Sequence, residues 1–414
     1  MKQLSFLLIL FLLISCISNN SKIFEWRGPN RAGIYHETNL LKIWPENGPE
    51  LIWETSDLGA GYGSPVIAQN QLFVMGVQDS VSVLFAFNLK GELIHRTEVG
   101  KEWVVNFPGS RCTPTVIDHK VYVMTGVGDV TCVDAKNGKV IWTRNVQNDF
   151  DGMIPRFGYA ESLVIDGDKV FCSPGGEVDN VVALNRFNGE LIWSCPGKGE
   201  RPGYHPASLI SVGDRKIYLT FSAYHLMGID SEKGQMLWSH EQINTEPDQR
   251  NPGIGDTHAN TVLFDNNVLY YVEGDGNCAV ALQLNDDGTT VEQIWNNVVV
   301  DNFMGGIVLH NNYIYSSNHS ANQLVKIDIK NGAVTETLPI GRGSLILADN
   351  MLYYYNLNGL VYLVQIDNDK MNEVSKFTIT KGSKEHFAHP VIDQGVLYIR
   401  HGEFLGAYRI KTTQ

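Results

Sequence analysis

One sequence unit repeats along this chain, and it constrains the fold more than any other feature. Each copy contains two apolar strands, a strand that ends in Asp or Asn, a glycine turn and a strand that carries Trp. The clearest copy occupies residues 114–142, and similar copies occupy residues 162–193 and 208–238. A unit of four short strands that recurs roughly every 45 residues is typical of a β-propeller blade.

The starts of the repeats predict the number of blades. Eight segments open with the same kind of strand: Ser64, Pro114, Ser162, Ser208, Asn260, Gly306, Ser344 and His389. The eighth has room for three strands only, whereas residues 50–54 (ELIWE) have the pattern of an isolated fourth strand. We therefore predict an all-β fold, a single eight-bladed β-propeller of four-stranded antiparallel blades over residues 50–411. The N-terminal strand closes the ring and thereby hides sheet edges.

Tryptophan and glycine recur at fixed positions of the repeat. Five tryptophans share one position on the outermost strand: Trp53, Trp142, Trp193, Trp238 and Trp295. A large ring there fills the space that opens between blades as they fan out from the axis, so we interpret these residues as packing residues. The turns of the repeat include Asn137-Gly138 and Asn331-Gly332, a dipeptide favoured in tight hairpins because both residues tolerate a positive φ.

The start of the chain predicts a lipoprotein. Residues 4–14 form an apolar run with one exception, too short to span a bilayer and suited to a signal peptide core. Ser15-Cys16 resembles the bacterial lipobox, and the alternative is an ordinary cleavage site with an incidental cysteine. We predict a signal peptide over residues 1–15, lipidation at Cys16, and a lipidated N-terminus, tether and lead-in segment over residues 16–49.

The same features predict location and partners. No Asp follows Cys16, which by the familiar sorting pattern favours a lipid anchor in the outer membrane, with the periplasmic side favoured over the surface. The formal net charge of −13 disfavours nucleic acid and anionic membrane surfaces as partners through bulk charge. We therefore expect a membrane contact through the lipid, and envelope proteins or a small ligand as partners.

The remaining cysteines do not form a recognisable pattern. Five follow Cys16: Cys112, Cys132, Cys172, Cys195 and Cys278. Their number is odd and they contain no C-x-x-C motif, so the sequence shows no disulfide framework, although a single disulfide stays open. A cysteine-based zinc site is not expected.

Several motifs resemble a known family. Residues 183–193 follow the pattern A-x-D/N-x-x-x-G-x-x-x-W, which resembles the repeat of eight-bladed propellers of the pyrroloquinoline quinone (PQQ) type. That superfamily includes quinoprotein alcohol dehydrogenases and the lipoprotein subunit of the outer-membrane β-barrel assembly machinery. Residues 26–33 (WRGPNRAG), 158–162 (GYAES) and 341–345 (GRGSL) are similar to a subgroup of PQQ-binding-like propeller proteins of the cell envelope. Such a resemblance implies the fold far more strongly than a function.

The resemblance also raises a cofactor. Quinoprotein dehydrogenases bind PQQ with calcium in the axial funnel, beside an acidic base and in many members a vicinal disulfide and a stacking Trp. This sequence has no Cys-Cys pair and no C-x-x-C-H haem motif. No cofactor is therefore predicted, and PQQ with calcium stays an alternative.

A candidate site follows from propeller geometry. The first strand of each blade lines the central channel, so the residues just before it surround one mouth: Tyr62, Arg111, Glu161, His205, His258, Met304, Arg342 and His389, with Tyr159, Tyr204 and His386 nearby. Long loops feed this face in the first half of the chain, over residues 100–111, 146–160, 195–205 and 240–258, and binding often lies on such loops. We predict a small anionic or polar ligand, or a carboxylate-bearing peptide. The alternative is a water-filled polar channel whose residues satisfy one another. We expect no metal site, because the histidines belong to separate blades.

Two functions from different classes remain. The first is a membrane-anchored scaffold for binding or assembly, with its ligand or partner on the loop-rich face. The second is a divergent PQQ-dependent oxidoreductase of the alcohol or sugar dehydrogenase type. The missing catalytic motifs favour the scaffold over the enzyme.

Overall fold

The computed structural model describes residues 22–204, 206–242, 245–276, 278–367 and 370–412. It is an eight-bladed β-propeller whose blades are antiparallel sheets, as the repeat predicts. In each blade, apolar side chains lie on both faces of the inner three strands and are buried against the neighbouring blades. The predicted signal peptide and the predicted lipidation site Cys16 lie outside the described residues. Within the described ranges, no helix has the length and apolar character that a bilayer crossing needs.

Two strands precede the first complete blade, β1 (Ile34–Tyr35) and β2 (Glu50–Thr55). Blades 1 to 3 comprise β3 (Val66–Ala68), β4 (Gln71–Gln78), β5 (Val81–Asn88), β6 (Leu93–Lys101); β7 (Thr115–Ile117), β8 (Lys120–Met124), β9 (Asp129–Asp134), β10 (Val140–Asn145); and β11 (Val164–Asp166), β12 (Lys169–Cys172), β13 (Val181–Asn185), β14 (Leu191–Cys195). Blades 4 to 6 comprise β15 (Ser208–Val212), β16 (Arg215–Phe221), β17 (His225–Asp230), β18 (Met236–Glu241); β19 (Leu263–Asp265), β20 (Val268–Val272), β21 (Ala279–Leu284), β22 (Val291–Asn297); and β23 (Ile307–His310), β24 (Tyr313–Asn318), β25 (Gln323–Asp328), β26 (Val334–Leu338).

Blade 7 comprises β27 (Gly343–Ala348), β28 (Met351–Asn356), β29 (Leu360–Ile366) and β30 (Met371–Thr378), and blade 8 contains β31 (Val391–Asp393), β32 (Val396–His401) and β33 (Phe404–Arg409). Short helical segments are α1 (Val146–Phe150) and the 3-10 turns Pro29–Arg31 and Pro247–Gln249.

The ring closes through the N-terminal strand. β2 pairs antiparallel with β33, with Glu50 opposite Arg409 and Thr55 opposite Leu405, and so supplies the fourth strand of blade 8. Pairing of the two ends of the repeat array removes a free sheet edge. This confirms the predicted closure.

The recurring tryptophans connect neighbouring blades. Each indole N–H donates to a backbone carbonyl after the third strand of the next blade: Trp53 to Leu89, Trp142 to Arg186, Trp193 to Ser231, Trp238 to Gly288 and Trp295 to Ile329. The distances are 2.8 to 3.1 Å. A buried indole thus gains a hydrogen-bond partner as well as apolar contact. The Trp position of the repeat therefore marks a contact between neighbouring blades.

The turn before Trp142 is left-handed at its glycine and not at its asparagine. Gly138 has a positive φ of 73°, and Asn137 does not belong to the residues with positive φ. The physical reason is a longer loop, in which the Asp134 carboxylate accepts the backbone N–H groups of Lys136 and Asn137. Only the glycine then has to be left-handed.

Residues before β2 are part of the folded body. Phe24 forms a bridge with Val116 of blade 2, and β1 pairs in parallel with β27, the inner strand of blade 7. Trp44 is buried against Tyr353 and Phe377. The lead-in segment therefore crosses the end of the channel instead of leaving the ring directly.

Candidate functional site: an aromatic cavity on the propeller axis

A buried arginine from the lead-in segment occupies the axis. Arg27 donates from Nη1 to the carbonyl of Leu345 (2.7 Å) and to Nδ1 of His389 (2.9 Å), and from Nη2 to the carbonyl of Ile307 (2.5 Å). These acceptors belong to blades 6, 7 and 8, so one guanidinium joins three inner strands. Burial lowers the pKa of Arg27 to about 10, which leaves it charged at neutral pH.

A second arginine contacts the other side of the ring. Arg31 donates from Nη1 to the carbonyls of Ser162 (2.7 Å) and Ala207 (2.8 Å), from Nη2 to that of Leu163 (2.8 Å), and from Nε to Glu25 (2.8 Å). Arg27 and Arg31 are each 2 % exposed. Together they form a plug of lead-in residues across the axis of the ring.

The WRGPNRAG motif adopts left-handed backbone conformations that place Arg27 and Arg31 on the axis of the ring. Arg27, Asn30 and Arg31 all have positive φ, and such strain persists where the surrounding structure enforces it. A Cβ atom at Gly33 would lie 2.0 Å from Nη2 of Arg27. The second glycine of the motif is therefore needed for the close approach of the arginine.

A cavity of about 360 Å³ lies next to this plug. Trp26 lines the cavity on the side of the plug. Its ring lies edge-on to that of His389, with 4.9 Å between the ring centroids and an interplanar angle of 71°. His389 accepts from Arg27 through Nδ1, so its Nε2–H donates to the carbonyl of Met304 at 3.0 Å. Burial and the charge of Arg27 lower the pKa of His389 well below its usual value, and the imidazole is neutral.

One wall of the cavity is a chain of five aromatic rings. Successive centroids from Tyr204 to Phe157, Phe107, Phe387 and Tyr62 are separated by 5.5, 5.9, 6.3 and 5.3 Å. These rings come from five different loops at one mouth of the ring. Edge-to-face and tilted arrangements at such distances are favourable, so the wall is held by its own packing.

The rest of the lining contains few polar groups. Phe303 and Met304 face the cavity from blade 6, and Thr257 and Asp275 from blade 5. Arg111 is the arginine among the lining residues. A mostly apolar, concave site with a small number of placed polar groups is the usual form of a small-molecule pocket.

The structure brings together three of the predicted site residues. Tyr62, Arg111 and His389 all line the cavity, as does the predicted channel residue Met304. The guanidinium of Arg111 lies 5.9 Å from the centre of the Tyr62 ring. Whether these residues bind a ligand stays a prediction.

Glu161 and His258 do not line this cavity, although their neighbours do. Glu161 accepts the Tyr218 hydroxyl (2.7 Å) and the Ser173 amide (2.9 Å) between blades, and burial raises its pKa to about 7. His258 is fully buried against Phe221. The flanking residues on the cavity are Ala160, Ser162, Thr257 and Ala259. Side chains alternate in direction along an extended chain, so a displacement of one residue selects the wrong face.

The last two predicted residues have other positions. Arg342 is exposed and does not line the cavity; its backbone N–H donates to the side chain of Asn322. His205 lies outside the described residues. Its chain neighbours Tyr204 and Pro206 both line the cavity.

The sequence analysis missed the residues that form most of the surface. Trp26, Phe107, Phe157, Phe303 and Phe387 line the cavity and were not in the predicted ring. Two signals were available: the aromatic residues within the long loops, and the WRGPNRAG motif of the lead-in segment. Polar residues at the strand starts are a weaker signal, because the ring of blades does not specify which of them faces inward.

Comparison with known proteins assigns the family. The chain matches the family described as outer membrane protein assembly factor BamB over residues 36–150 and 85–337. It belongs to this family. Curated relatives of that name from Yersinia pestis and Shewanella oneidensis are each 22% identical, over 39% and 55% of this chain. The matched segments span 39% and 56% of those relatives.

Solved structures support the fold of this BamB-family chain. BamB from Moraxella catarrhalis has a TM-score of 0.60 at 11% identity, covering 88% of this chain and 98% of that one. Quinohemoprotein alcohol dehydrogenase from Comamonas testosteroni has a TM-score of 0.63 at 10% identity, covering 93% and 80%. At such low identity these similarities show the fold alone.

The alternative function, a PQQ-dependent oxidoreductase, would require a cavity that holds PQQ and calcium. PQQ is a polycarboxylate, whereas this cavity has Arg111 as its one lining arginine and also Asp275. Across the described residues, no three His, Cys, Asp or Glu side chains are placed to share a metal ion. The five cysteines are separate and buried. The residues of this BamB-family cavity therefore do not fit the polyanionic cofactor and its calcium.

Proposed function

We propose that this chain is an envelope lipoprotein, anchored through Cys16 at the periplasmic side of the outer membrane, whose propeller is a scaffold for the assembly of outer-membrane proteins. The family and the relatives from Yersinia and Shewanella carry the name of an assembly factor, which supports the role. The lipobox Ser15-Cys16 supports the anchor. The partners are envelope proteins that dock on the loop-rich face around the cavity.

An apolar rim on that face is the observation that carries the proposal. Val105 is 75% exposed, Ile254 49%, and Val104 and Phe107 both 44%. Phe107 lines the cavity, and Ile254 directly follows the lining residue Gly253. Clustered apolar side chains on an exposed surface mark sites of protein contact. Such a rim beside a concave aromatic cavity offers a docking surface for an envelope protein.

Site-specific photo-crosslinking in cells tests the proposal. A photoreactive amino acid replaces Val105 on the rim, and in a matched control it replaces Lys136, which is exposed in the β9–β10 turn at the opposite end of blade 2. We expect adducts with outer-membrane assembly proteins from position 105 and not from position 136. We also expect Cys16→Ser to move the protein from the membrane fraction to the soluble fraction and to reduce those adducts.

Equal adducts from both positions would contradict docking on the rim. Membrane association of Cys16→Ser at the wild-type level would contradict the anchor. The competing enzyme function has its own readout: stoichiometric uptake of PQQ and calcium by the purified protein, with dye-linked alcohol oxidation, would replace the scaffold proposal.

A further inference from the structure

The lead-in segment enters the channel from the end opposite the cavity. The inner strand β7 runs away from the cavity, because Arg111, which precedes it, lines the cavity. Phe24 bridges Val116 of β7 in the antiparallel sense. The chain from Lys22 onward therefore runs toward the cavity and reaches it at Trp26. Lys22 itself is exposed and lies at the far end of the ring.

The surroundings of Lys22 agree with this direction. Burial raises the pKa of Asp393, the last residue of β31, and the nearby charge of Lys22 opposes that rise. β31 follows the cavity residue His389 and therefore ends away from the cavity. We call this end of the ring the turn face. It is formed by the turns after the first and third strands of each blade, such as residues 118–119 and 135–139 of blade 2.

The chain between the predicted lipid and the ring is short. Lys22 follows Cys16 by six residues, and that length spans at most about 20 Å at full extension. With a lipid on Cys16, the bilayer surface lies within this distance of Lys22. The turn face is then the side of the ring nearest to the bilayer, and the loop-rich face points away from it.

Blades 2 and 3 carry an apolar patch at the turn face. The carbonyl of Arg186 accepts the indole N–H of Trp142 at 3.0 Å, which places the last turn of blade 3 against the start of the outer strand of blade 2. Exposed large apolar side chains that cluster in this way mark a contact surface. The patch consists of five side chains, each between 37% and 47% exposed: Val140, Ile141, Phe187, Leu191 and Ile192.

The charge of the turn face differs between blades. The Lys120 ammonium lies 5.7 Å from the centre of the Phe187 ring, and Lys136 and Lys139 are exposed in the turn before the patch strand of blade 2. Lysines beside exposed apolar side chains suit the boundary between hydrocarbon and headgroups. Anionic lipid attracts such a surface. It repels blade 5, whose turns expose three acids: Asp265, Asp286 and Asp287.

We propose that the patch on blades 2 and 3 rests on the surface of the bilayer that holds the lipid anchor, with Phe187 at the level of the headgroups. This inference rests on the proposed anchor at Cys16. It deepens the scaffold function, because it presents the loop-rich face and its cavity to partners on the side away from the bilayer. The net charge of −13 disfavours recruitment of the whole protein to an anionic surface. The patch therefore orients a ring that the lipid already holds there.

Other occupants of the patch match the observations less well. A protein on the patch would have to fit into the space of about 20 Å or less that the short connection leaves between ring and bilayer. A second copy docked symmetrically would bring the lysines of both copies together, and such like-charge contacts are costly. A bilayer surface has neither difficulty.

Quenching by labelled lipid tests the orientation of the intact lipoprotein. The mature protein is reconstituted in vesicles of phosphatidylethanolamine and phosphatidylglycerol that contain a phospholipid with a nitroxide on its headgroup. An environment-sensitive NBD fluorophore is attached to a cysteine introduced at Asn188, Asn331 or Val105. The five native cysteines among the described residues are buried, and Cys16 is blocked by the lipid, so the fluorophore reports the chosen position.

Asn188 and Asn331 form a matched pair on the turn face. Each directly precedes a turn glycine, and their side chains accept the backbone N–H groups of Glu190 and Ala333, two residues further on. Asn188 borders the patch in blade 3, whereas Asn331 belongs to blade 6 and Val105 to the loop-rich face. We expect a blue shift and strong quenching at position 188, weaker quenching at 331, and none at 105.

A charge reversal tests the contribution of the lysines. Lys136→Glu should reduce quenching at position 188, because an anionic surface attracts lysine and repels glutamate. The reduction should disappear in vesicles of phosphatidylcholine alone. Lys330→Glu is the matched control, because Lys330 has the same position in the turn of blade 6, where its backbone N–H also donates to the aspartate two residues earlier. It should leave the quenching at 188 unchanged.

Four results would overturn the inference. They are equal quenching at positions 188 and 331, strongest quenching at 105, equal effects of the two glutamate substitutions, and a blue shift at 188 without quenching, which would indicate a protein on the patch. Flotation of the vesicles measures the anchor separately. Protein that does not float contradicts the anchor and this inference together. Floating protein with equal quenching at 188 and 331 overturns this inference alone and leaves the anchor and the cross-linking result intact.

Discussion

At the scale of single residues, burial of ionisable groups determines how the protein responds to pH. His258 is fully buried and lies parallel to the ring of Phe221, with 4.4 Å between centroids. Its Nε2–H donates to the carbonyl of Ala223 at 3.0 Å. Burial lowers its pKa to about 4, against smaller opposing effects of Asp256 and Glu200. The folded protein therefore holds this imidazole neutral while the unfolded chain protonates it near pH 6.5.

Substitution of His258 by Phe should change the pH dependence of stability. The stabilisation is complete above the unfolded pKa of about 6.5 and declines as pH falls toward 4, because only the unfolded chain takes up the proton. Between pH 7.5 and 5 the wild type should lose about 2 kcal/mol relative to His258→Phe. Urea denaturation at both pH values measures the two free energies of unfolding.

The control for that experiment is His36→Gln at an exposed position, which should leave the difference between the two pH values unchanged. A parallel pH dependence of wild type and His258→Phe would show that the ring titrates normally in the folded protein. The buried carboxyl of Glu161, with its pKa raised to about 7, acts in the opposite direction and is common to both proteins.

At the scale of strands and turns, the contact between blades depends on a glycine and a tryptophan. Gly234 has a φ of +69°, and a Cβ atom there would lie 2.6 Å from the ring of Trp193 in the preceding blade. Trp193 donates to the carbonyl of Ser231 in the same loop. The turn is therefore shaped by the neighbouring blade as well as by its own hairpin.

Gly234→Ala should be much more destabilising than the same change in an open turn. A left-handed alanine costs about 1–2 kcal/mol, and forcing a methyl group into a filled interface adds about 1–3 kcal/mol. Gly213 also has a positive φ, of +58°, with nothing within 4 Å of the added Cβ. Gly213→Ala should therefore lose only the first contribution, as measured by urea denaturation. Equal losses would mean that the indole contact adds no constraint.

At the scale of the whole molecule, one strand decides whether the ring is closed. β2 covers the edge of β33 through pairs of residues from opposite ends of the chain, such as Glu54 with Gly406. The ion pair of Arg409 with Glu50, at 2.7 Å, is exposed and adds little. Backbone pairing is the main contribution, because an unpaired edge strand is a template for association.

Two truncations that differ only by β2 test this closure. Removal of residues 1–49 deletes the axial plug and keeps β2, whereas removal of residues 1–55 deletes both. We expect the first protein to remain monomeric in size-exclusion chromatography and the second to form dimers or larger species through the edge of β33. Monomers of equal stability in both cases would show that closure by β2 is dispensable.

The number of blades, the closing strand and the position of the tryptophans could all be predicted from the repeat. These features follow from strand periodicity and from a repeat of fixed order, which are local properties. The conformation of Asn137 does not follow from its dipeptide, because the Asp134 carboxylate organises the loop around it.

The set of side chains that meet at the axis could not be predicted from the repeat, because it depends on long-range contacts. Arg27 reaches Leu345 across 318 residues, and the aromatic wall combines rings from loops that the ring of blades brings together. The side chains of Glu161 and His258 point away from the cavity, because side-chain direction alternates along an extended chain. The repeat does not specify which residues of a loop face the axis. Local periodicity thus specifies the scaffold, while the cavity is formed by long-range contacts that exist only once the ring has closed.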